Sequence, residues 1–418
     1  MLKAFEYRIY PTKEQEVLLA KHFGCVRFVY NHFLRVKIDH YASTKKNLSR
    51  FCLDKQIPLL KKSIAPWLQE VNAQSLCCSL AHLDSAYQRF FKLKKGFPKF
   101  KSKDDKQSFA IPQNLRTSFE KSIITLPKFK EGIQTLFHRK FQGTVKTCTI
   151  KKSKTYKYFV CILVENGLVL PTKPTPNINN AVGVDTGIKT FATLSSGEQI
   201  PNPRYLNKSL ERLKKISRNF SRKRIPKKPP SKNSIKIKNK LTFLHEKIHN
   251  QRKDFLHKVS TRLVRENQTL CVETLSIKNM MRNHRVARGF QDVALGTFYR
   301  FLEYKTDWYG KNLLRIGRFE PSSKTCSVCG YVKQDLTLSD RVWTCPKCNT
   351  IHQRDPNASL NIKNMAFKEL GLRNQAEVTP ISYEDSQEPQ SRKYSCEAVQ
   401  SSLDSSESRR EAHEFIRG

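Results

Sequence analysis

Acidic residues are scarce in this chain: its 418 residues hold 36 Asp and Glu against 77 Lys and Arg, a formal net charge of +41 at pH 7. An excess near one positive charge per ten residues is more than solubility needs and turns the protein away from basic partners. Long apolar runs are missing too. The longest, 159–164, falls far short of the roughly 18 residues a membrane-spanning helix requires, and no basic-then-apolar signal opens the chain. No membrane partner is expected, and the protein is expected to stay in the compartment of its synthesis. Cysteine is too thin for a disulfide scaffold: twelve thiols in a chain of this length, without a secretory signal, fit a reducing interior. No internal repeat is present.

What is present is a folded composition. With 27% charged and 38% hydrophobic residues, a chain this long can bury two to four cores, so a folded, multi-domain protein with a basic surface is expected. Its natural partner is a polyanion, because Lys and Arg that neutralise phosphates release condensed counterions and drive binding without sequence readout. An acidic membrane surface is the competing partner.

Residues 2–10 alternate, with Phe5, Tyr7 and Ile9 on one face, which predicts a half-buried strand ended by Pro11. Thr12 and Gln15 form a capping-box pair, and helical spacing from Val17 to Phe91, broken near 43–49, predicts an all-helical block. From Lys92 the chain changes character. Lys94-Lys95-Gly96-Phe97-Pro98-Lys99-Phe100-Lys101 interleaves basic and aromatic residues, which suits phosphate contacts with base stacking, and strand-like pieces follow. Residues 144–150 and 156–165 predict a hairpin with a basic tip at 151–155.

The proline-spaced stretch up to 180 predicts a linker, and strands at 181–185 and 189–194 open a second domain. Residues 204–253 hold 18 Lys and Arg but only two acids, Glu211 and Glu246, and their apolar spacing predicts two long basic helices on either side of a break at 226–230. A strand at 269–273, a helix at 296–310 and a strand at 313–319 follow. From Asn374 the composition flips to five Lys and Arg, nine Asp and Glu and nine Ser over 45 residues, net −4, which predicts a disordered acidic, serine-rich tail.

Two constellations carry chemistry. Cys326-x-x-Cys329, fifteen residues, then Cys345-x-x-Cys348 supplies four soft thiolates for a tetrahedral, closed, structural Zn²⁺. The other eight cysteines, scattered in apolar stretches, read as small buried hydrophobes. The second constellation is dispersed. Asp185 ends one apolar strand, Glu273 ends another, and Asp355 precedes Pro356 at the start of a helix. Three carboxylates converging on one sheet edge could hold two divalent cations. Each also has a plain alternative: a turn acid before Gly187, an exposed strand-end charge, and a helix N-cap.

These segments together resemble the transposon-encoded OrfB/TnpB proteins, RNA-guided DNA endonucleases and ancestor-like relatives of type V CRISPR effectors. The carriers are Arg27-Phe28-Val29-Tyr30-Asn31, Gly96-Phe97-Pro98-Lys99-Phe100, Gly183-Val184-Asp185-Thr186-Gly187-Ile188-Lys189, Cys271-Val272-Glu273 followed by Leu275, Pro321-Ser322-Ser323-Lys324-Thr325-Cys326, and His352-Gln353-Arg354-Asp355-Pro356-Asn357-Ala358. The resemblance implies an α/β multi-domain fold, with a wedge-like β-barrel split over 1–11 and 92–170 and a helical recognition insertion at 12–91, ahead of the linker read at 171–180. It further implies a RuvC (RNase H-like) nuclease domain over 181–319 and 351–373, with a zinc ribbon inserted at 320–350.

Carried over position by position, Asp185, Glu273 and Asp355 match the catalytic triad that binds two Mg²⁺ or Mn²⁺ ions, and Cys326, Cys329, Cys345 and Cys348 match the zinc ligands. Gln353 departs from the family, which usually has an acid there. The implied partners are a guide RNA transcribed from the transposon end and double-stranded DNA, in the cytoplasm and at the nucleoid. Three other readings stay open: a guide-RNA-dependent DNA-binding protein without cleavage, a non-enzymatic zinc-ribbon nucleic-acid-binding protein, and a recombinase.

Overall fold

The structure is a computed structural model that describes residues 1–376 apart from 225–228 and 338, with side chains as far as 371. Cys396 and nearly all of the acidic tail lie outside the described residues. The chain divides into two units, Met1–Leu168 and a second from Val169 on.

The first unit opens with β1 (Leu2–Tyr10), whose alternation buries Tyr7 and Ile9. Three helices follow, α1 (Lys13–Thr44), α2 (Arg50–Lys62) and α3 (Ala73–Leu93). The capping box starts α1: Gln15 N donates to Thr12 Oγ1 at 3.3 Å and Thr12 N to Gln15 Oε1 at 3.1 Å, satisfying two otherwise orphan amides. The chain then returns to strands: β2 (Gln107–Ile111), β3 (Arg116–Ser118), β4 (Ile123–Thr125), β5 (Ile133–Leu136), β6 (Thr144–Lys152) and β7 (Tyr158–Glu165). These form one antiparallel sheet in the order β2-β6-β7-β1-β5-β4-β3. Its end strands, β2 and β3, form no ladder with each other among the described residues. The hairpin turn falls at 153–157, two residues beyond the expected tip, so Lys151 and Lys152 belong to the strand. The carrier at 27–31 meets Lys101, the residue just after the carrier at 96–100: the Asn31 amide accepts from Lys101 N at 2.8 Å and donates to Lys101 O at 2.9 Å, while Lys101 Nζ sits 3.7 Å above the Tyr30 ring.

The second unit contains β8 (Ala181–Thr186), β9 (Thr190–Leu194), β10 (Gln199–Pro201), α4 (Tyr205–Lys223), α5 (Lys232–Glu266), β11 (Thr269–Glu273), α6 (Ile277–Met280), α7 (His284–Val293), α8 (Leu295–Tyr309), β12 (Asn312–Ile316), β13 (Val342–Thr344), β14 (Ile351–Gln353) and α9 (Arg354–Ala376). Its sheet runs β10-β9-β8-β11-β12. The first three strands are an antiparallel meander, and β11 and β12 run parallel to β8. Val182, Val184, Leu270 and Val272 pack with α5 and α8, whereas Cys271 and Ile316 pack with Ile362 and Ala366 of α9. Helices therefore cover both faces, as near-continuous apolar parallel strands require.

The basic helices α4 and α5 bury their shared stripe at Leu213, Leu244 and Ile248. The interruption expected between them falls largely on residues outside the description. The segment expected to be a linker is tied to α8 and β12, with Lys173 Nζ 2.6 Å from Asp307 and Asn312 Nδ2 2.8 Å from Pro174 O. The helix α9 runs on through Ala376, two residues past the expected start of the tail. No described helix is long and apolar enough to cross a membrane.

Candidate active site and metal centre

Strand periodicity sorts the candidate acids. Gly183 and Cys271 occupy the α9 face of β8 and β11, and two residues further on, by the same alternation, come Asp185 and Glu273. The register pairs Val184 with Val272, so both acids leave the carboxyl ends of neighbouring parallel strands on the side covered by α9. Asp355 lies in the first turn of that helix, where the positive end of the backbone dipole favours a carboxylate. The approach of α9 depends on a missing side chain: a Cβ on Gly183 would lie 1.9 Å from Ser359 O and 3.0 Å from Lys363 N. A glycine inside a strand is what such close backbone contact demands.

Electrostatics records the convergence. Burial, then the negative charges of Glu273 and Asp355, push the Asp185 carboxyl up to about 8, against the opposing pull of Arg354 and a backbone hydrogen bond at Thr186. Glu273 Oε1 accepts from Ser322 Oγ at 2.5 Å. Asp355 Oδ1 accepts from Arg341 at 3.4 Å, a half-exposed pair of a kind worth at most about 1 kcal/mol. Beneath the site, Tyr299 OH and Thr186 Oγ1 stand 2.8 Å apart, and burial raises the Tyr299 phenol above its usual range. Gln353 ends β14 and is exposed.

The all-oxygen donor set suits hard cations such as Mg²⁺ or Mn²⁺. Among the described residues, however, only the four cysteines gather three or more candidate ligand atoms within 4.8 Å of one another.

The cysteine cluster is compact. Cys326 and Cys348 sulfurs stand 3.6 Å apart, as do those of Cys329 and Cys345. A tetrahedron with Zn–S near 2.3 Å has an edge of about 3.8 Å, so the thiols fit zinc. The two knuckles repeat one geometry: Gly330 N donates to Cys326 O at 3.0 Å and Asn349 N to Cys345 O at 2.9 Å, with φ of 74° at Gly330 and 57° at Asn349. Trp343 and Leu336 pack over the cysteines, and His352 Nε2 lies 3.0 Å from Cys326 Sγ.

Two non-cysteine residues are a minimal core, whereas structural zinc contributes an apparent ~10–16 kcal/mol in small peptides. With zinc on these thiols, chelating it, or Cys345→Ser, is therefore expected to unfold the cysteine-bearing segment and raise its proteolysis at least tenfold, read by mass spectrometry of the fragments, with proteolysis inside the first unit unchanged. Of the scattered cysteines, Cys25, Cys52, Cys148 and Cys271 are buried and Cys77, Cys78 and Cys161 are half-buried. Burial pushes the Cys25, Cys148 and Cys271 thiols up to about 12, which makes them inert at neutral pH.

Four site residues escape a reading of the sequence. Ser322 meets Glu273 across 49 residues of chain, and a lone serine gives no signal of that. Asn357 and Asn361 are buried on the core face of α9, and polar residues breaking an apolar stripe are the one hint that partners exist. His352 beside a thiol could have been suspected only from its nearness in sequence to Cys348.

Three family patterns match the chain: an OrfB pattern described as "Probable transposase" over residues 159–284, a "Helix-turn-helix domain" of the same family over 1–46, and a "Cas12f1-like, TNB domain" over 296–362. The second of these covers β1 and the single helix α1. A protein of Streptomyces pristinaespiralis named "Putative RNA-guided DNA endonuclease" is 37% identical over 365 residues, covering 86% of this chain and 88% of that protein. One of Escherichia coli K12, "Putative RNA-guided DNA endonuclease InsQ", is 29% identical over 377 residues, covering 86% and 91%. A solved Cas12f1–sgRNA–target DNA complex aligns over 87% of this chain and 99% of its own at 16% identity, with a TM-score of 0.33, too low to carry an argument.

Proposed function

Because this chain belongs to the OrfB/TnpB family, we propose that it is an RNA-guided DNA endonuclease of the RuvC (RNase H-like) type, with Asp185, Glu273 and Asp355 as its catalytic acids. The observation that carries the reading is the electrostatic coupling of those acids, from two strand ends and one helix start, that drives the Asp185 carboxyl up to about 8. The sheet order β10-β9-β8-β11-β12, antiparallel on one side of β8 and parallel on the other, supports the nuclease fold. Support for the guide RNA and DNA target comes from the names of the relatives and from the exposed cations of α4, where Lys214, Arg218 and Arg222 line one open groove.

Asp185, Glu273 and Asp355 would hold two divalent ions, Mg²⁺ or Mn²⁺, whose chemistry when bound is to activate water and stabilise the leaving 3′ oxygen. Asp185 keeps a proton at neutral pH in the bare site, and would release it to solvent on holding a cation. Glu273 would share a cation and help orient the attacking water, and Asp355 would hold a cation from the amino end of α9. Products carry 5′ phosphates. The wedge-like barrel and helical insertion of the first unit are assigned to guide-RNA and target binding, the guide being transcribed from the transposon end, and the cysteine ribbon is assigned a structural zinc.

The test is to sequence the RNA that co-purifies with the protein, then incubate the complex with a plasmid carrying the complementary target. Linear plasmid is expected only with Mg²⁺ or Mn²⁺ and a matched target. RNA without a defined sequence, or an intact plasmid under all conditions, would overturn the proposal.

A further inference from the structure

We propose that Ser322 is a positioning residue for Glu273, and that through it the zinc ribbon sets the geometry of the carboxylate site; this rests on the reading of Glu273 as a cation ligand. The Ser322 hydroxyl donates to Glu273 Oε1 at 2.5 Å, the length of a charge-assisted O–H···O⁻ bond. Ser322 is 5% exposed, so water has little access to replace that hydroxyl. The bond engages one carboxylate oxygen and leaves Oε2 for a cation.

The hydroxyl is held by what surrounds it. Ser322 N donates to Glu320 O at 2.8 Å, and Lys324 N and Thr325 N both donate to Pro321 O at 3.0 Å, closing a tight turn over 321–325. Asn361 Nδ2 donates to Ser322 O at 2.7 Å and to Thr325 O at 2.6 Å, and Asn357 Nδ2 donates to Thr325 O at 2.7 Å. Ser327 N completes the clamp, donating to Asn357 Oδ1 at 3.0 Å. The two asparagines are one helical turn apart on α9, at two and six residues past Asp355. The residue after Thr325 is Cys326, one of the four clustered thiols.

A single buried network therefore runs from the zinc knuckle into the turn. From there it reaches Glu273 on one side and the helix bearing Asp355 on the other. Fully satisfied buried networks hold their members in one arrangement, and outer groups that orient a metal ligand are each worth 10–100-fold in metal affinity or activity. Loss of zinc frees the end of the turn that Cys326 anchors, and with it the Ser322 hydroxyl.

The test uses the zinc-loaded full chain with Mn²⁺ as the probe, read twice: by the Mn²⁺-induced rise in melting temperature without nucleic acid, and by cleavage rate against Mn²⁺ concentration. Ser322→Ala is expected to raise both Mn²⁺ midpoints about tenfold, with the rate at saturating Mn²⁺ within about threefold of the original and zinc content unchanged. Cys345→Ser should raise the midpoint in the original chain but add little in the Ser322→Ala background. Should Ser322→Ala melt early without Mn²⁺, Ser322→Cys, similar in size and a weaker donor, gives the same comparison. A Ser322→Ala midpoint within twofold of the original overturns the positioning role, and additive effects of the two changes overturn the zinc linkage. An original chain with neither a Mn²⁺ response nor cleavage overturns the reading of the site and this proposal with it. An original chain that responds, beside a Glu273→Gln chain that does not and an unaffected Ser322→Ala, overturns this proposal alone.

Discussion

Asp185→Asn is expected to lower guided plasmid cleavage by about 10³-fold or more while leaving RNA content and guided DNA binding intact. Metal stabilisation of transition-state charge is worth several kcal/mol, and each 1.36 kcal/mol is tenfold in rate. The same change should make the metal-free protein more stable at pH 8, and the sign follows from the site. The Asp185 carboxyl sits at about 8 when folded and near 3.9 when unfolded. Between those values the folded chain binds a proton the unfolded chain does not, so stability falls as pH rises through the window and is lowest above pH 8. At about 1.4 kcal/mol per pH unit the ceiling is about 6 kcal/mol. Asparagine removes this cost. Melting curves without divalent ions should show Asp185→Asn above the original chain at pH 8.5, with the gap closing toward pH 4, and added Mn²⁺ should stabilise only the original. Equal melting at every pH, or undiminished cleavage, would remove Asp185 from the site.

The second large effect is steric. Gly183→Ala puts a methyl 1.9 Å from Ser359 O, a contact with backbone that no rotamer change relieves. The helix α9 must retreat by about 1 Å or more, and Asp355 retreats with it. Overpacking of this kind costs about 1–3 kcal/mol, several degrees in melting temperature for a unit of this size. Misplacing a reacting group by 1 Å costs about 10²-fold. Cleavage should therefore fall about a hundredfold in a chain that remains folded. Gly371→Ala, at a helical glycine whose new Cβ meets nothing within 4 Å, is the control, expected to be neutral or slightly stabilising. Full activity in Gly183→Ala would mean that the close docking of α9 does not set the site.

Local patterns were legible in the sequence because their causes are local. The Thr12–Gln15 capping box, the alternation of β1 and the apolar stripe of α4 and α5 each depend on residues within one turn or one strand. The pairing of β1 between β5 and β7 was not legible, since partners more than 120 residues away leave no periodic trace. The short strands β3 and β4 were missed for want of length, three residues being too few to alternate. Among the candidate site residues, the acids could be named because two stand at strand ends, where a sheet presents its chemistry, and the third opens a helix. The residues that hold them could not. Ser322, Asn357 and Asn361 act through turn carbonyls and a distant carboxylate, and nothing in serine or asparagine announces which carbonyl it serves. Gly183 lay inside a recognised motif, yet only the helix packed against it explains the glycine.

The order of the acids along the chain has a consequence in time. Glu273 follows Asp185 by 88 residues and Asp355 follows Glu273 by 82. At a synthesis rate of about 5–20 residues per second, Asp355 leaves the ribosome about 4–16 s after Glu273. Both basic helices and four of the five strands of the sheet precede that interval or end at its start, β12 is made midway through it, and α9 comes only at its end. On the proposed reading, a nascent chain would therefore carry its nucleic-acid-binding helices before the last of the acids it needs to cut.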